Sequence, residues 1–375
     1  MKFTILQENL REALYIVGHI AGKNINLPIL NNVMIEASQG NISFTSTDLE
    51  IGIVNKQRGK VDVEGAFTVD SKILFDYISL LPNKKVELEV VKDELVVSCE
   101  NFNTKIKGQS SEEFPLIPDI SESEVYEIKL EKLKESLPQV VFATSNSETR
   151  MELTGVLFEV VDNELLLVAT DSYRLGEKKI KLEKNNDKKS RVIIPAKTMQ
   201  ELVRVISNAK EDQQEVLAKK IEINISENQV KFIINNTSLV SRLIEGQYPD
   251  YKQIIPTKSN TKAVVFKKEL IRATKMSSLF SKSGINDVNL DFPAGKNKII
   301  ISSISGQAGE NTTETDAQVS GVDNGVVVNY RYLLDCLNNI NGEKIILEIG
   351  DSNTPCVIKS EEDDLYTYII MPIKQ

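Results

Sequence analysis

The side chains that most often carry chemistry are scarce in this chain, and their spacing is wrong for catalysis. There is one histidine, His19, and no tryptophan. A lone histidine builds no histidine-rich metal centre and argues against a Ser-His-Asp arrangement. The nearest approach to a phosphate loop is Gly18-His19-Ile20-Ala21-Gly22-Lys23. It is one residue short of G-x-x-x-x-G-K-[ST], is followed by Asn24, and closes a helical pattern where a phosphate loop would open one. Acids are plentiful but form no repeated D-x-D or E-x-x-E set. Cys99, Cys336 and Cys356 are scattered, without C-x-x-C, which implies free thiols and a reducing cytoplasm. The expectation is a non-catalytic protein with no metal and no cofactor. A cryptic acidic active site is the one enzymatic alternative.

What recurs instead is a base near the start of a helix with an acid four residues on: Lys72 with Asp76, Lys197 with Glu201, Arg331 with Asp335. Each follows an apolar strand end (Val69-Asp70, Ile194-Pro195, Val328-Asn329) and leads to a second strand (Val86–Val90, Ile221–Ile225, Ile345–Ile349). The three bases are about 125 and about 134 residues apart, a period of whole domains and not of a solenoid, whose repeats run ~20–50 residues. Other features keep the same period. Apolar residues fall at helical spacing at Leu10, Ala13, Leu14 and Val17, then at Leu130, Leu133, Leu137 and Val140, then at Phe266, Leu270, Ala273 and Met276. Thr47-Asp48 answers Thr170-Asp171, and the units close on Phe114-Pro115, Tyr248-Pro249 and Met371-Pro372. Polar, proline-containing linkers separate domains 1–120, 125–250 and 255–375. Short alternating strands between the helices, with a hairpin through Lys92-Asp93-Glu94, give an α+β class of antiparallel meanders with two helices per domain.

Composition is that of an ordinary globular protein, 41% hydrophobic and 26% charged. No stretch approaches the ~20 apolar residues of a membrane span, and the N-terminus reaches Glu8 too soon for a signal peptide. Net charge is −9, which argues against nucleic acid until its distribution is examined. Over the helical segments 5–23, 71–85, 129–145, 197–212, 266–282 and 329–344 there are 18 bases and 11 acids, a surplus of +7 that leaves −16 on strands and loops. Solvated lysine faces would do the same. If equivalent helices line one surface, that surface attracts phosphate without reading base sequence.

Several motifs stand together in order: Met1-Lys2-Phe3-Thr4, Leu27-Pro28-Ile29-Leu30, Thr47-Asp48-Leu49-Glu50, Val168–Leu175, Tyr248-Pro249-Asp250-Tyr251 and Met371-Pro372-Ile373-Lys374. With the triple repeat, they make the chain resemble the bacterial beta sliding clamps, the processivity subunits of the replicative DNA polymerase III holoenzyme. The resemblance covers all 375 residues. It implies three copies of one clamp domain, sheets outside and two helices per domain inside, and a head-to-tail homodimer closing a pseudo-sixfold ring around duplex DNA. It implies partners that dock a linear motif: the replicative polymerase, the clamp loader, repair and translesion polymerases, ligase or mismatch-repair proteins.

The implied pocket comprises Leu153, Thr170, Ser172, Tyr173, Arg174 and Leu175 from the second domain, and Pro249, Gln253 and Ile254 from the linker. The third domain adds Tyr332, Asn353, Pro355, Ile369, Met371, Pro372, Ile373 and Lys374. Tyr173 stands where the family commonly has histidine, and Gln253 where arginine can occur. DNA contacts are expected from Lys23, Lys72, Arg150, Lys197, Lys267, Arg272 and Arg331, and the dimer seam from Met276, Leu279 and Phe280. An accessory ring that binds DNA but not the polymerase is the alternative within this reading.

Overall fold

The computed structural model describes residues 1–22, 26–118, 120, 123–182, 189–208 and 220–374. One element order runs through it three times. The first pass is β1 (Lys2–Leu6), α1 (Gln7–Gly18), β2 (Asn32–Ser38), β3 (Asn41–Thr47), β4 (Ile51–Arg58), β5 (Lys60–Val63), β6 (Gly65–Asp70), α2 (Ser71–Leu80), β7 (Lys85–Val91), β8 (Glu94–Cys99) and β9 (Phe102–Gln109). The second is β10 (Glu124–Lys129), α3 (Leu130–Ser136), α4 (Pro138–Val141), β11 (Gly155–Val161), β12 (Glu164–Thr170), β13 (Arg174–Lys181), β14 (Ser190–Pro195), α5 (Ala196–Asn208), β15 (Lys220–Ile225), β16 (Gln229–Ile234) and β17 (Thr237–Arg242). The third is β18 (Thr261–Phe266), α6 (Lys267–Ser278), β19 (Asp287–Phe292), β20 (Lys298–Ser305), β21 (Gly309–Gly321), β22 (Asn324–Asn329), α7 (Tyr330–Asn339), β23 (Lys344–Ile349), β24 (Cys356–Ser360) and β25 (Tyr366–Ile370). Lys72, Lys197 and Arg331 each become the second residue of their helix.

The helices are shorter than their sequence patterns, and proline explains one break. Pro138 has no N–H to donate, so the expected 129–145 helix divides into α3 and α4. The buried stripe of α6 is Leu270, Ala273, Thr274 and Ser277, which turns Phe266 and Met276 outward. With the observed limits, the described helices carry eleven bases against eight acids. Over the described residues the surplus is +3, since Lys84, Lys282 and Glu343 lie between elements and Lys85, Lys129 and Lys344 on strands; Lys23, Lys210, Glu211 and Asp212 lie outside the described residues.

The chain packs as two compact units, Met1–Leu130 with Arg204–Leu243, and Glu131–Val203 with Ile244–Gln375. Each is built on one antiparallel sheet, so the middle repeat contributes strands to both. The first unit holds thirteen strands in the order β10-β15-β16-β17-β4-β3-β2-β6-β9-β8-β7-β1-β5. Leu10, Ala13, Leu14 and Val17 of α1 and Leu74 and Ile78 of α2 are buried at its core. The two helices approach closely: a Cβ on Gly18 would meet Ser71 Oγ at 2.9 Å, and Gln7 Nε2 donates to Ile78 O. The second unit holds twelve strands, β14-β11-β12-β13-β25-β24-β23-β18-β21-β20-β19-β22, with α6 against α7 and β21.

Two pairings tie one repeat to the next. β17 of the second repeat adds to β4 of the first, from Thr237↔Asn55 to Ser241↔Ile51. β25 of the third adds to β13 of the second, from Arg174↔Ile370 to Lys178↔Tyr366. In repeat terms, the last strand of one domain always joins the same strand of the domain before it. The same rule gives β21 an equivalent slot, and among the described residues 309–316 of β21 pair on one side only, with β20. Residues 102–107 of β9, the last strand of the first repeat, likewise pair only with β8 among the described residues.

Candidate functional site

The expected docking residues of the second repeat sit on a turn that their own side chains build. Thr170 Oγ1 donates to Arg174 O (2.6 Å) and accepts from Ser172 N (3.1 Å), while Asp171 Oδ1 accepts from Tyr173 N and Arg174 N. These bonds hold Ser172 at φ 79, a left-handed conformation that a non-glycine residue rarely takes. The first repeat makes the same turn. Thr47 Oγ1 donates to Ile51 O and accepts from Leu49 N, Asp48 Oδ1 accepts from Glu50 N and Ile51 N, and Leu49 has φ 78. The Thr-Asp pair is thus a device for presenting a three-residue turn, and in the second repeat it projects Tyr173, which is 64% exposed.

Beneath the turn lies an apolar cluster. Leu153, Leu175 and Ile369 meet there, as expected, but they are almost fully buried, packed with Leu157, Val168, Ile193, Tyr248 and Tyr251. Tyr248 and Tyr251, from the motif Tyr248-Pro249-Asp250-Tyr251, cover the cluster. Tyr251 donates to Glu177 Oε2 (2.6 Å) and Tyr248 to Val168 O (3.3 Å). Ile254 stands open beside them on the short turn Tyr251–Ile254, and Gln253 is held by Asp250 at 2.7 Å. The site is therefore a buried apolar base with Pro249, Ile254, Tyr173 and Met371 at its surface.

Arg174, expected in the pocket, is held within the protein: its guanidinium bonds Asp171 (3.0 Å), Asp335 and Phe142 O (2.9 Å) and lies over the rings of Tyr332 (4.6 Å) and Phe142 (5.5 Å). Asp335 pairs with Arg174 here, 161 residues away in the chain, instead of only serving its helix neighbour Arg331. The C-terminal tail is also anchored, Met371 N to Tyr173 O and Ile373 N to Val327 O, both 2.8 Å. Asn353, Ile373 and Lys374 line a separate polar cavity of about 460 Å³ together with Asn289 and Asp291. Pro355 and Pro372 are half-buried beside the strand ends of the third repeat.

The expected DNA contacts also sort by geometry. Lys72, Lys197 and Arg331 are exposed at their helix starts. Lys267 donates to Ile340 O (2.8 Å), capping the end of α7, Arg272 pairs with Glu269, and Arg150 reaches Glu152 (3.0 Å) and Ser172 Oγ (3.3 Å). Lys23 lies outside the described residues. Of the expected seam residues, Leu279 (74% exposed) and Met276 are open, whereas the Phe280 ring is half-buried, about 4.0 Å from where a side chain on Gly309 would begin.

Family models of the DNA polymerase III beta subunit match the chain end to end: the N-terminal domain over residues 1–118, the central domain over 127–250 and the C-terminal domain over 252–374. The chain belongs to the DNA polymerase III beta subunit family. The beta sliding clamp of Bacillus subtilis (strain 168) is 32% identical over 384 residues, covering 100% of both chains. That of Staphylococcus epidermidis is 30% identical, covering 100% of this chain and 99% of the relative. The crystal structure of the B. subtilis DNA polymerase sliding clamp superposes with a TM-score of 0.92 at 31% identity, covering 100% of this chain and 99% of that one. The beta subunit of Thermotoga maritima gives 0.91 at 28%, with the same coverage. A Pseudomonas aeruginosa sliding clamp bound to griselimycin gives 0.92 at 25%, covering 100% of both. In this beta-subunit member, three clamp domains of antiparallel strands and paired helices are the fold.

The tyrosines of the site set its pH dependence. Burial, then the bond to the Glu177 carboxylate, keeps the Tyr251 phenol protonated far above its ordinary range, and burial does the same for Tyr248, Tyr366 and Tyr368. Unfolding returns each to about 10. Above that pH the folded state holds protons that the unfolded chain releases, so the contribution of these tyrosines is constant below about pH 10 and falls as pH rises past it. Melting temperatures of Tyr251→Phe followed from about pH 9 to about pH 12 are expected to decline less steeply than those of the parent. Equal slopes would remove Tyr251 from this account.

Proposed function

We propose that this protein is a DNA sliding clamp: two chains close head to tail around duplex DNA, hold it without reading sequence, and tether the replicative polymerase and other DNA-processing proteins by a linear motif. A sliding clamp is a non-catalytic processivity subunit. The observation that carries ring closure is the repeated strand pairing. Two of the three equivalent slots are filled within the chain, β4 by β17 and β13 by β25, which leaves β21 and β9 to join between chains. A head-to-tail contact of this kind closes a ring if its rotation matches.

Lys72, Lys197 and Arg331 support the DNA-facing role of the helices. A base at the second residue opposes the helix dipole, a cost of roughly 0.3–1 kcal/mol, so helix stability is a poor reason for three such bases. Aspartate and asparagine caps offset the cost at two of them: Asp70 accepts from Ile73 N and Asn329 from Arg331 N. A basic side chain beside exposed helical N–H groups favours phosphate oxygens. The contacts proposed here are few and exposed, so binding is weak, falls with salt and permits sliding. Lys267 caps the end of α7, and Arg272 and Arg150 pair with Glu269 and Glu152, which offsets their charge.

The turn at Tyr173, the open Ile254, the half-buried Pro249 and Met371, and the apolar base beneath them support docking of an extended peptide carrying a few apolar anchors. Among the described residues no helix is long and apolar enough to cross a membrane, and the proposed setting is the cytoplasm.

The test is retention on DNA. Loaded with a clamp loader, the protein is expected to stay on nicked circular plasmid through a salt wash and to run off once the plasmid is cut. A chain ending at Ile370 keeps the buried last strand but loses the tail bonds to Tyr173 and Val327. It is expected to stay dimeric and to lose about tenfold in affinity for a peptide bearing the polymerase's motif, the equivalent of ~1.4 kcal/mol. Equal retention on linear and circular DNA would overturn the ring, and undiminished peptide affinity would overturn the docking assignment.

A further inference from the structure

The polar cavity beside the C-terminal tail shares Asn353, Ile373 and Lys374 with the expected docking residues, and the rest of its wall has no assigned part. Asn289 and Asp291 of β19 stand opposite Val327 and Gly325 of β22, and all four lie on its wall with Ser352 and Asn353. Its volume of about 460 Å³ is within the usual range for small-ligand sites, ~300–1,000 Å³. Gly325 keeps it open: a Cβ there would come within 2.8 Å of Asp291 Oδ1. Among the described residues of the wall Asp291 is the one acid, exposed to the cavity, with partial burial raising its carboxyl. Lys374 lines the same cavity without forming an ion pair with it. Amide and hydroxyl groups of Asn289, Ser352 and Asn353 surround it.

The tail links this cavity to the docking turn. Met371 N is bonded to Tyr173 O and Ile373 N to Val327 O, so two residues of extended chain, roughly 7 Å, separate the turn from the cavity wall. We propose that the cavity receives the basic side chain, guanidinium or ammonium, of a partner segment whose neighbouring residues dock at Tyr173. The chemistry selects a cation. A lone carboxylate rimmed by carboxamides offers charge-assisted hydrogen bonds to a guanidinium, and a donor of that length reaches in past Gly325. A partner then gains affinity from a basic residue a few positions outside its apolar anchors. The proposal rests on the docking reading above, and its test separates the two.

In the first arm the full-length protein is titrated, and its crystals soaked, with N-acetylarginine N-methylamide and with the neutral citrulline analogue. The arginine compound is expected in the cavity of the parent protein and absent after Asp291→Asn, with the citrulline compound absent from both. In the second arm a motif peptide carries arginine or citrulline at successive flanking positions. At one position arginine is expected to bind about fivefold tighter than citrulline, and Asp291→Asn to abolish that difference while leaving the citrulline peptide unchanged. Failure of every peptide, with the arginine compound still bound, overturns the docking reading and keeps the cation site. No arginine preference in either arm, a preference that survives Asp291→Asn, or occupancy only at crystal concentration overturns the cation site.

Discussion

Replacing Phe102 and Leu279 together by aspartate is expected to convert the dimer to folded monomer at micromolar concentration. Phe102 begins β9, is 51% exposed, and lies on the edge that pairs only with β8; Leu279 follows α6 and is 74% exposed. The internal joints say where they go. Between the first two repeats β17 lies along β4, and Arg204 of α5 reaches the carbonyls of Tyr15 and Ile16 at the end of α1 while its guanidinium lies over the Tyr15 ring. Carried one repeat on, the proposed joint between two chains would lay β9 along β21 and set the end of α2, with Leu80 at 83% exposure, against the end of α6 with Leu279. Arginine and its carbonyl acceptors at the internal joint would give way to leucine on leucine at the proposed seam. An apolar contact of that kind is non-directional and suits an interface that has to part and re-form. Burying Leu80, Phe102, Leu279 and Met276 contributes roughly 1.5–3 kcal/mol each at full burial. Two buried carboxylates in their place would cost several kcal/mol more, so the dissociation constant rises by at least about a hundredfold. Sedimentation at graded concentrations reads this directly. A variant that remains dimeric at nanomolar concentration would place the seam elsewhere, and circular dichroism guards against simple unfolding, since both side chains are already open in the single chain.

The repeat was legible in the sequence because it is written in local terms. A strand end, a break, a base at the second helical position and an acid one turn later are all set within eight residues, and Lys72, Lys197 and Arg331 fall where that pattern puts them. Helix ends were less legible, because a lysine beside apolar residues fits the last turn of a helix and the first residue of a strand equally well. Lys85 and Lys344 prove to be the latter, and the charge surplus shrinks accordingly. Exposure at the site was least legible. Leu153, Leu175 and Ile369 belong to the pocket that the resemblance implies, and the tertiary cover of Tyr248 and Tyr251 makes them core. The same holds for Lys267, an apparent phosphate contact until the end of α7, 73 residues on, takes its ammonium. Partners that distant in the chain leave no periodic trace. The resemblance to a family supplied the list of residues; the packing decides which of them a ligand can touch.

Arg174→Ala is expected to be the most damaging single change at the docking site, costing about 3–5 kcal/mol of stability in the second unit and most of the affinity for a motif peptide. The side chain is 11% exposed, its guanidinium spans Asp171, Asp335 and the Phe142 carbonyl, and two rings enclose it. Removing it leaves Asp171, itself 14% exposed, without its cation and leaves a void between Phe142 and Tyr332. Asp335, at 47% exposure, loses less because water replaces the partner. The effect passes to the docking surface through two bonds. Asp171 builds the turn that presents Tyr173, and Tyr368, which donates to Tyr332 O, lies on the strand that ends at Ile370 and leads into the tail. Lysine is expected to rescue little, since a single ammonium cannot serve two carboxylates and a carbonyl while lying flat between two rings. Asp335→Asn keeps the shape and removes one charge, so it should cost less than half as much. Calorimetric melting and peptide titration of the three variants test the order. An Arg174→Ala protein that melts with the parent, or an Arg174→Lys protein that binds peptide as tightly, would show that the guanidinium is only a surface ion pair.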